Sequence, residues 1–152
     1  MKIFCCDEFW MYHAITLANK AEIAGEVPVG SVVIWNNNLI GEGWNNVIRY
    51  SDPCAHAEII SLRQGGKNIS NYRLINSTIY VTLEPCIMCI GAMIHARIKR
   101  LVFGAQNTKI GGVKFLQQIS FNLNINHRII VTSRILENLC IAQITKFFQK
   151  KR

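Results

Sequence analysis

The chain has 152 residues, of which 50% are hydrophobic and only 17% are charged. This length and composition exclude an intrinsically disordered protein and predict one domain, residues 1–152, with a sizeable core. A formal net charge of +8 suggests a polyanionic partner such as nucleic acid, although many basic proteins are merely soluble.

The six cysteines are better explained by a reducing compartment than by three disulfides. A CxxC pair accompanied by a histidine is typical of metal binding, and the remaining four are expected to be reduced thiols: Cys5, Cys6, Cys54 and Cys140. No signal peptide is recognisable, and the best apolar run, residues 86–94, is about half of the roughly 20 residues that cross a bilayer. We therefore expect a cytoplasmic protein without a membrane segment.

The first predicted element is a helix that Asp7 can cap and that Gly25 ends. Its apolar residues fall on one stripe: Trp10, Ala14, Leu17, Ala18, Ala21 and Ala24. A hairpin should follow, with strands over 27–35 and 39–44 joined by an asparagine turn. The polar loop that begins at Asn45 then leads to a second helix, and such a loop is a natural place for substrate contacts.

The middle of the chain is predicted to alternate helices and strands. A helix over 55–64 should stop at Gly65-Gly66, a common C-terminal signal. The apolar segment 78–83 is expected to be a central strand buried on both faces. A helix carrying the CxxC pair should follow and continue to about His95.

The last third begins with a predicted buried strand over 100–104. Residues 105–126 are expected to form a loop with a helical turn, and 129–132 a final strand. Ser133 can cap a C-terminal helix with the apolar stripe Leu136, Leu139, Cys140, Ile144, Phe147 and Phe148. The elements together predict an α/β fold, with three α/β/α layers around a mixed sheet of about five strands.

A metal site is indicated by the segments PCIMC at 85–89 and HAE at 56–58. Cys86 and Cys89 would lie on the first turn of a helix, where Pro85 suits the first helical position and the helix N-terminus favours thiolate. His56 can supply a nitrogen from the start of another helix. Three ligands without a fourth candidate indicate a catalytic zinc with an open position for water.

Glu58 is predicted to lie beside these ligands without being one of them. A carboxylate there can take a proton from a zinc-activated water and return it to a leaving group such as ammonia. Each element alone has a simpler explanation: a redox pair for the CxxC, a core histidine, a solvated glutamate. Their combination, in this order, is typical of zinc nucleobase deaminases.

Further segments carry a resemblance that runs from about residue 9 to residue 148: EVPVG at 26–30, GEGWN at 41–45, DPCAHAEI at 52–59, NYRL at 71–74, YVTLEPCIMC at 80–89, GAMIH at 91–95 and VFGA at 102–105. In these the sequence resembles the bacterial tRNA-specific adenosine deaminases. The resemblance implies a cytidine-deaminase-like fold, one zinc ion per chain, a homodimer, and conversion of the wobble adenosine of an arginine tRNA to inosine.

The resemblance also implies roles for single residues. Zinc ligands of the family are matched by His56, Cys86 and Cys89, its proton shuttle by Glu58, and a base contact by Asn45. Pro28 lies in another of the similar segments and is expected near the substrate.

Asn107 stands where the family usually has an acidic residue, and we expect it near the sugar-phosphate path of the target nucleotide. At the C-terminal end, Phe148, Lys150 and Arg152 suit an RNA loop with splayed bases, or are a solvated helix end. Two other functions remain open on the sequence alone. A deaminase of free bases or nucleosides would share the zinc site without needing a basic surface, and a non-catalytic zinc-stabilised subunit would not require Glu58.

Overall fold

The computed structural model describes residues 6–122 and 125–152, which form six helices and five strands. In chain order they are α1 (Asp7–Ile23), β1 (Gly30–Trp35), β2 (Asn38–Trp44), α2 (Val47–Tyr50), α3 (Ala57–Ile69), β3 (Thr78–Leu83), α4 (Ile87–His95), β4 (Arg100–Ala105), α5 (Val113–Asn122), β5 (Ile130–Thr132) and α6 (Glu137–Lys151). None of the helices in this described part of the chain is long and apolar enough to span a membrane.

The strands form one mixed sheet in the order β2-β1-β3-β4-β5. β1 is antiparallel to both of its neighbours, whereas β3, β4 and β5 are parallel to one another. β3 lies at the centre of the sheet and is largely buried, as its sequence predicted. Because β2, β3 and β4 point the same way, all three end at one edge of the sheet, which we call the carboxyl edge.

Helices cover both faces of the sheet, which confirms the predicted three-layer α/β/α arrangement. Alternating strand residues point to opposite faces, so Val32 packs with α1 and α6 while Val33 packs with α3 and α4. Tyr80 and Val102 belong to the core between the sheet and α1 and α6, and Ile79 belongs to the core on the opposite face, beside α3 and α4.

The first helix begins differently from the prediction, because Asp7 does not cap it. Cys6 occupies the capping position, without a side-chain hydrogen bond. Two guanidinium nitrogens of Arg100 donate to the two carboxylate oxygens of Asp7, both at 2.7 Å, and the hydroxyl of Tyr80 donates to it at 2.9 Å. The carboxylate thus joins α1 to β3 and β4 instead of binding the N–H groups of its own helix.

The predicted stop at Gly65-Gly66 is wrong, since α3 continues to Ile69 and ends at Ser70 in the left-handed conformation. The reason is close packing between α3 and β2. A Cβ added to Gly41 of β2 would lie 2.7 Å from the backbone nitrogen of Gly65 and would also collide with the carbonyl oxygen of Ser61. Small residues on both elements therefore allow the strand and the helix to approach, and the glycine serves packing within the helix.

Two other predictions need correction toward the C-terminus. Residues 113–122 form a full helix, α5, where only a helical turn was expected, because Val113, Leu116 and Ile119 find apolar partners in the core. Ser133 does not cap α6, which begins four residues later with Leu136 as the capping residue. The N–H of Ile135 instead bonds to the carbonyl of Phe103, and Arg134 and Leu136 adopt left-handed conformations in the turn that precedes the helix.

The five cysteines within the described residues form no disulfide: Cys6, Cys54, Cys86, Cys89 and Cys140. Of these, Cys86 and Cys89 were predicted to be metal ligands, and Cys6, Cys54 and Cys140 to be reduced thiols. Cys5, for which the same prediction was made, lies outside the described residues.

Candidate metal centre and active site

Two helix N-termini meet at the carboxyl edge. His56 is the capping residue of α3, and Cys86 has the same position on α4. The carbonyl oxygens of these two residues accept hydrogen bonds from Ile60 and Ile90 in the first helical turns. Pro85 therefore precedes the cap, and the prediction that it is the first helical residue is wrong, because the backbone of Cys86 is still extended, with ψ 172°.

The three side chains predicted to bind zinc lie close together. The Nδ1 atom of His56 is 3.6 Å from the Sγ atoms of both Cys86 and Cys89, and the two sulfurs are 3.7 Å apart. A tetrahedral zinc with Zn–S bonds of about 2.3 Å and Zn–N bonds of about 2.0 Å would hold such atoms about 3.5–3.8 Å apart. These three atoms, of His56, Cys86 and Cys89, form a ligand triangle that fits a tetrahedral zinc with one position left for a further ligand.

Hydrogen bonds within the triangle shift the pKa values of its members. The hydrogen bond between the sulfur atoms of Cys86 and Cys89 lowers the pKa of Cys86 to about 4, with His56 adding to the effect. That hydrogen bond and burial raise the pKa of Cys89, and the contact with Cys86 raises the pKa of His56. Cys86 is thus held as thiolate, the form that binds zinc.

Glu58 lies in the first turn of α3, two residues after His56, and its residue surface is only 3% exposed. Burial raises the pKa of its carboxyl group to about 7. A carboxyl group with a pKa near neutrality can both accept and release a proton. The group that could hold a metal consists of His56, Cys86 and Cys89 and does not include Glu58, so a role for Glu58 in proton transfer stays a prediction.

A cavity of about 540 Å³ opens beside the triangle. This volume is within the usual range of small-molecule sites, about 300–1,000 Å³. Its wall is formed by Val27, Val29, Asn45, His56, Glu58, Leu83, Glu84, Cys86, Gln106, Asn107, Thr108, Lys109, Ile110, Ile144 and Phe148. The wall thus combines apolar side chains with polar groups, which suits a planar heterocycle that also forms hydrogen bonds.

Asn45 lies in this wall and also orients α3. Its side-chain oxygen accepts the backbone N–H of Ala57 at 3.0 Å, which satisfies one of the free donors at the start of the helix. Because Oδ1 is used in this way, the Nδ2 amide is the group that Asn45 can offer to a ligand.

Asn107 lies in the same wall, in the loop after β4. Its side-chain oxygen accepts the backbone N–H groups of Lys109 and Ile110, both at 3.2 Å. As with Asn45, the Nδ2 amide remains for a ligand. A contact between Asn107 and substrate stays a prediction.

The other predicted substrate residues are distributed unevenly around the cavity. Phe148 lies in its wall, on the same face of α6 as Ile144. Lys150 and Arg152 lie farther along the helix and are exposed, and Lys150 donates to Glu22 of α1 at 3.1 Å. Pro28 is buried, and the wall contains its two sequence neighbours instead.

Most of one wall was not predicted from the sequence, namely Leu83, Glu84, Gln106, Thr108 and Ile110. A usable signal was present. Segments that follow parallel strands meet at the carboxyl edge, where α/β proteins bind ligands, and these residues directly follow β3 and β4.

A second cavity, of about 350 Å³, lies at the opposite edge of the sheet, among the segments that precede β3, β4 and β5. Its lining is basic and contains Arg73, Arg97, Lys99 and Arg128. The strands between the two edges are six residues long, or roughly 20 Å, so this cavity is separate from the candidate active site.

Comparisons with known proteins agree with this geometry. The family model for the cytidine and deoxycytidylate deaminase zinc-binding region matches residues 5–105. The chain is 54% identical over 147 residues to the tRNA-specific adenosine deaminase of Haemophilus influenzae, an alignment covering 96% of this chain and 85% of the relative.

Solved structures are similar as well. One from a study of A-to-I editing by tRNA:A34 deaminases at the wobble position of transfer RNA is 34% identical, with a TM-score of 0.83, over 88% of this chain and 97% of that one. The guanine deaminase of Bacillus subtilis is 33% identical, with a TM-score of 0.66, over 74% of this chain and 75% of that one. The chain therefore belongs to the zinc-binding cytidine and deoxycytidylate deaminase family and groups, within it, with the bacterial tRNA-specific adenosine deaminases.

Proposed function

We propose that this protein hydrolyses adenosine to inosine at the wobble position, the first anticodon position, of an arginine tRNA. The observation that carries the proposal is the position of the buried carboxyl of Glu58 beside the triangle of His56, Cys86 and Cys89, in the wall of a cavity large enough for a purine. The 54% identity to a tRNA-specific adenosine deaminase supports the choice of substrate.

In this reaction water adds to C6 of the adenine ring, and the exocyclic amino group leaves as ammonia. One zinc ion per chain, held by His56, Cys86 and Cys89, would supply the Lewis acid that activates the water. Glu58 accepts one proton from the water and passes it to N1 as the oxygen bonds to C6, and it then moves the remaining hydroxyl proton to the departing amino group, so it ends the cycle in its starting state. Burial of Glu58 keeps bulk water from taking over this transfer.

The base is held by groups on opposite sides of the cavity. The apolar side chains of Val29, Leu83 and Phe148 offer surfaces for the purine ring, and the Nδ2 amide of Asn45 can donate to a ring nitrogen. Adenine presents acceptor nitrogens around its ring, so a donor at this position suits it.

The tRNA would bind through the exposed cations near the carboxyl edge. Lys109 lies in the cavity wall, Lys151 ends α6 one turn beyond Phe148, and Arg152 follows it directly. Cations and an exposed aromatic ring close together suit an RNA loop with unstacked bases. We further propose a homodimer that acts in the cytoplasm.

Deamination of a free base is the second candidate, favoured by the similarity to a guanine deaminase. To separate the two, the pure protein is incubated with arginine tRNA, adenosine, guanine and cytidine, and products are identified by nucleoside analysis. We expect inosine in the tRNA and no turnover of free substrates. Turnover of guanine alone would favour the second candidate, and no turnover in any arm would favour a zinc-stabilised binding subunit.

A further inference from the structure

Residues 106–112, which connect β4 to α5, form a loop that supplies one wall of the candidate active site. Five consecutive residues of this loop, 106 to 110, line the cavity. The loop is thus in contact with any ligand there, although its two ends are 6 residues apart in sequence and belong to no helix or strand. Contacts with residues outside the loop are needed to fix its position relative to the sheet.

Glu84 provides this fixation from the end of β3. One carboxylate oxygen, Oε2, accepts the backbone N–H of Asn107 at 3.0 Å, and the other, Oε1, accepts the N–H of Val113 at 3.2 Å. The two bonds hold the start of the loop and the residue just after its end. Val113 opens α5, so the negative charge of Glu84 also lies at the positive end of that helix.

Backbone contacts beside Glu84 reinforce the same connection. The N–H of Glu84 donates to the carbonyl of Ala105 at 2.8 Å, and the N–H of Gly112 donates to the carbonyl of Pro85 at 2.8 Å. A Cβ on Gly111 would collide with the Glu84 carboxylate, and a Cβ on Gly112 would lie 2.9 Å from the carbonyl carbon of Cys86. The loop therefore lies directly against the segment that carries the ligand Cys86.

We propose that Glu84 is a positioning residue: by binding Asn107 and Val113 at once, it fixes the 106–112 loop against the Cys86 segment, so that the substrate-facing wall and the metal ligands keep one relative position. Both oxygens of a carboxylate are needed for this. A glutamine would keep one acceptor and turn an N–H donor toward another N–H donor. The inference rests on the proposed function only in that a substrate is taken to contact this wall.

The test uses Glu84→Gln in the full chain, with Glu137→Gln as a matched control, since Glu137 is a partly exposed carboxylate at the start of α6, outside the cavity wall. Lys109 offers a trypsin site within the loop. We expect the zinc content to stay at the parent level, cleavage after Lys109 to become at least fivefold faster, and the KM for tRNA to rise about tenfold with kcat changed less than threefold.

Gly111→Ala displaces the loop without changing Glu84, because its methyl group would collide with the Glu84 carboxylate and with the backbone carbonyl oxygen of Asn107. It tests whether loop displacement raises KM, and Glu84→Gln tests the carboxylate itself. Gly91→Ala is the control for Gly111→Ala, since a Cβ at Gly91 has no neighbour within 4 Å. We expect Gly111→Ala, and not Gly91→Ala, to accelerate cleavage after Lys109 and raise KM.

The cleavage and zinc measurements need no RNA, so they stand even if tRNA is not the substrate. Unchanged cleavage after Lys109 in Glu84→Gln would overturn the proposal. So would a fall in kcat with an altered pH profile and normal cleavage, because Glu84 would then act on the substrate directly.

Discussion

The side-chain oxygen of Asn45 accepts the backbone N–H of Ala57 at 3.0 Å. This bond joins the loop after β2 to the first turn of α3, between His56 of the ligand triangle and the buried carboxyl group of Glu58. It also fixes which end of the Asn45 amide is available to a ligand, because the oxygen is already used.

We therefore expect Asn45→Asp to separate the two roles of this residue. An aspartate can still accept the backbone N–H of Ala57, but it places a second carboxylate oxygen where the natural protein has the Nδ2 donor. KM should rise at least tenfold, with zinc content and thermal stability close to those of the parent, as measured by steady-state kinetics, metal analysis and thermal unfolding. A normal KM in Asn45→Asp would show that Nδ2 does not contact the base.

Glu58→Ala should retain zinc and lose turnover, whereas Cys86→Ala should lose zinc as well. In the proposed mechanism the carboxylate moves protons and is not part of the ligand triangle, so its removal should lower kcat by about 10²–10⁴ while the metal content stays near one per chain. Metal analysis of the purified variants beside single-turnover rates provides the check. A metal-free Glu58→Ala would contradict this division of roles.

Each C-terminal cation should contribute more to RNA affinity when it is not paired with a carboxylate of this chain. Replacing Lys150, Lys151 and Arg152 together by alanine should weaken tRNA binding and flatten the plot of log affinity against log salt, by roughly 0.7 for each phosphate that is no longer neutralised. Lys150 should contribute least, because it is paired with Glu22.

The matched control for this experiment removes three charges at the opposite edge of the sheet, with Arg73, Lys99 and Arg128 changed to alanine. Its net charge is the same as that of the C-terminal variant. Equal slopes in the two variants would mean that total charge matters and the position of the cations does not.

Asp7→Asn should destabilise the protein at neutral pH. Arg100 holds the pKa of Asp7 below its usual value of 3.8, so the pair stabilises the folded state above about pH 4 and loses this contribution as the pH falls through the lowered pKa. A charge-assisted pair of this kind contributes about 1–3 kcal/mol. Urea unfolding of both proteins in metal-free form should show the full difference at pH 7 and 5, and a smaller one at pH 3.

Asn107→Asp should shift the preference between RNA and DNA. An aspartate keeps the turn, because it can accept the same N–H groups of Lys109 and Ile110, but its charge would repel phosphate unless a ribose 2′-OH donates to it. We expect the natural protein to discriminate against DNA less than the variant does. The measurement compares deamination of matched RNA and single-stranded DNA anticodon loops, and an identical rate ratio in both proteins would reject the idea.

Sequence patterns predicted the features that depend on neighbouring residues. The apolar run of β3 indicated a central strand, and the short spacings within HAE and PCxxC indicated the ligand triangle. Features that depend on distant partners were not accessible in this way. Gly65 does not end α3 because it packs against Gly41 of β2, which lies far from it in the sequence. Asp7 does not cap α1 because it pairs with Arg100, which is 93 residues away.

The wall at 106–112 was missed for the same reason. Its own sequence, with two glycines and few apolar residues, describes a loop without a fixed path. The groups that fix it belong to Glu84 and Pro85, on a different strand end. A loop can be predicted from its composition, but its position requires the residues that receive its hydrogen bonds.

The spacing of the ligand triangle along the chain has a consequence for unfolding. His56 and Cys86 are 30 residues apart, and the segment between them contains α3 and the central strand β3. One ion bound to both would act as a removable cross-link that closes a loop around the middle of the sheet and reduces the conformational entropy of the unfolded chain. A chelator should therefore lower the free energy of unfolding as well as stop the chemistry, and the order in which the sheet comes apart should differ with and without the ion.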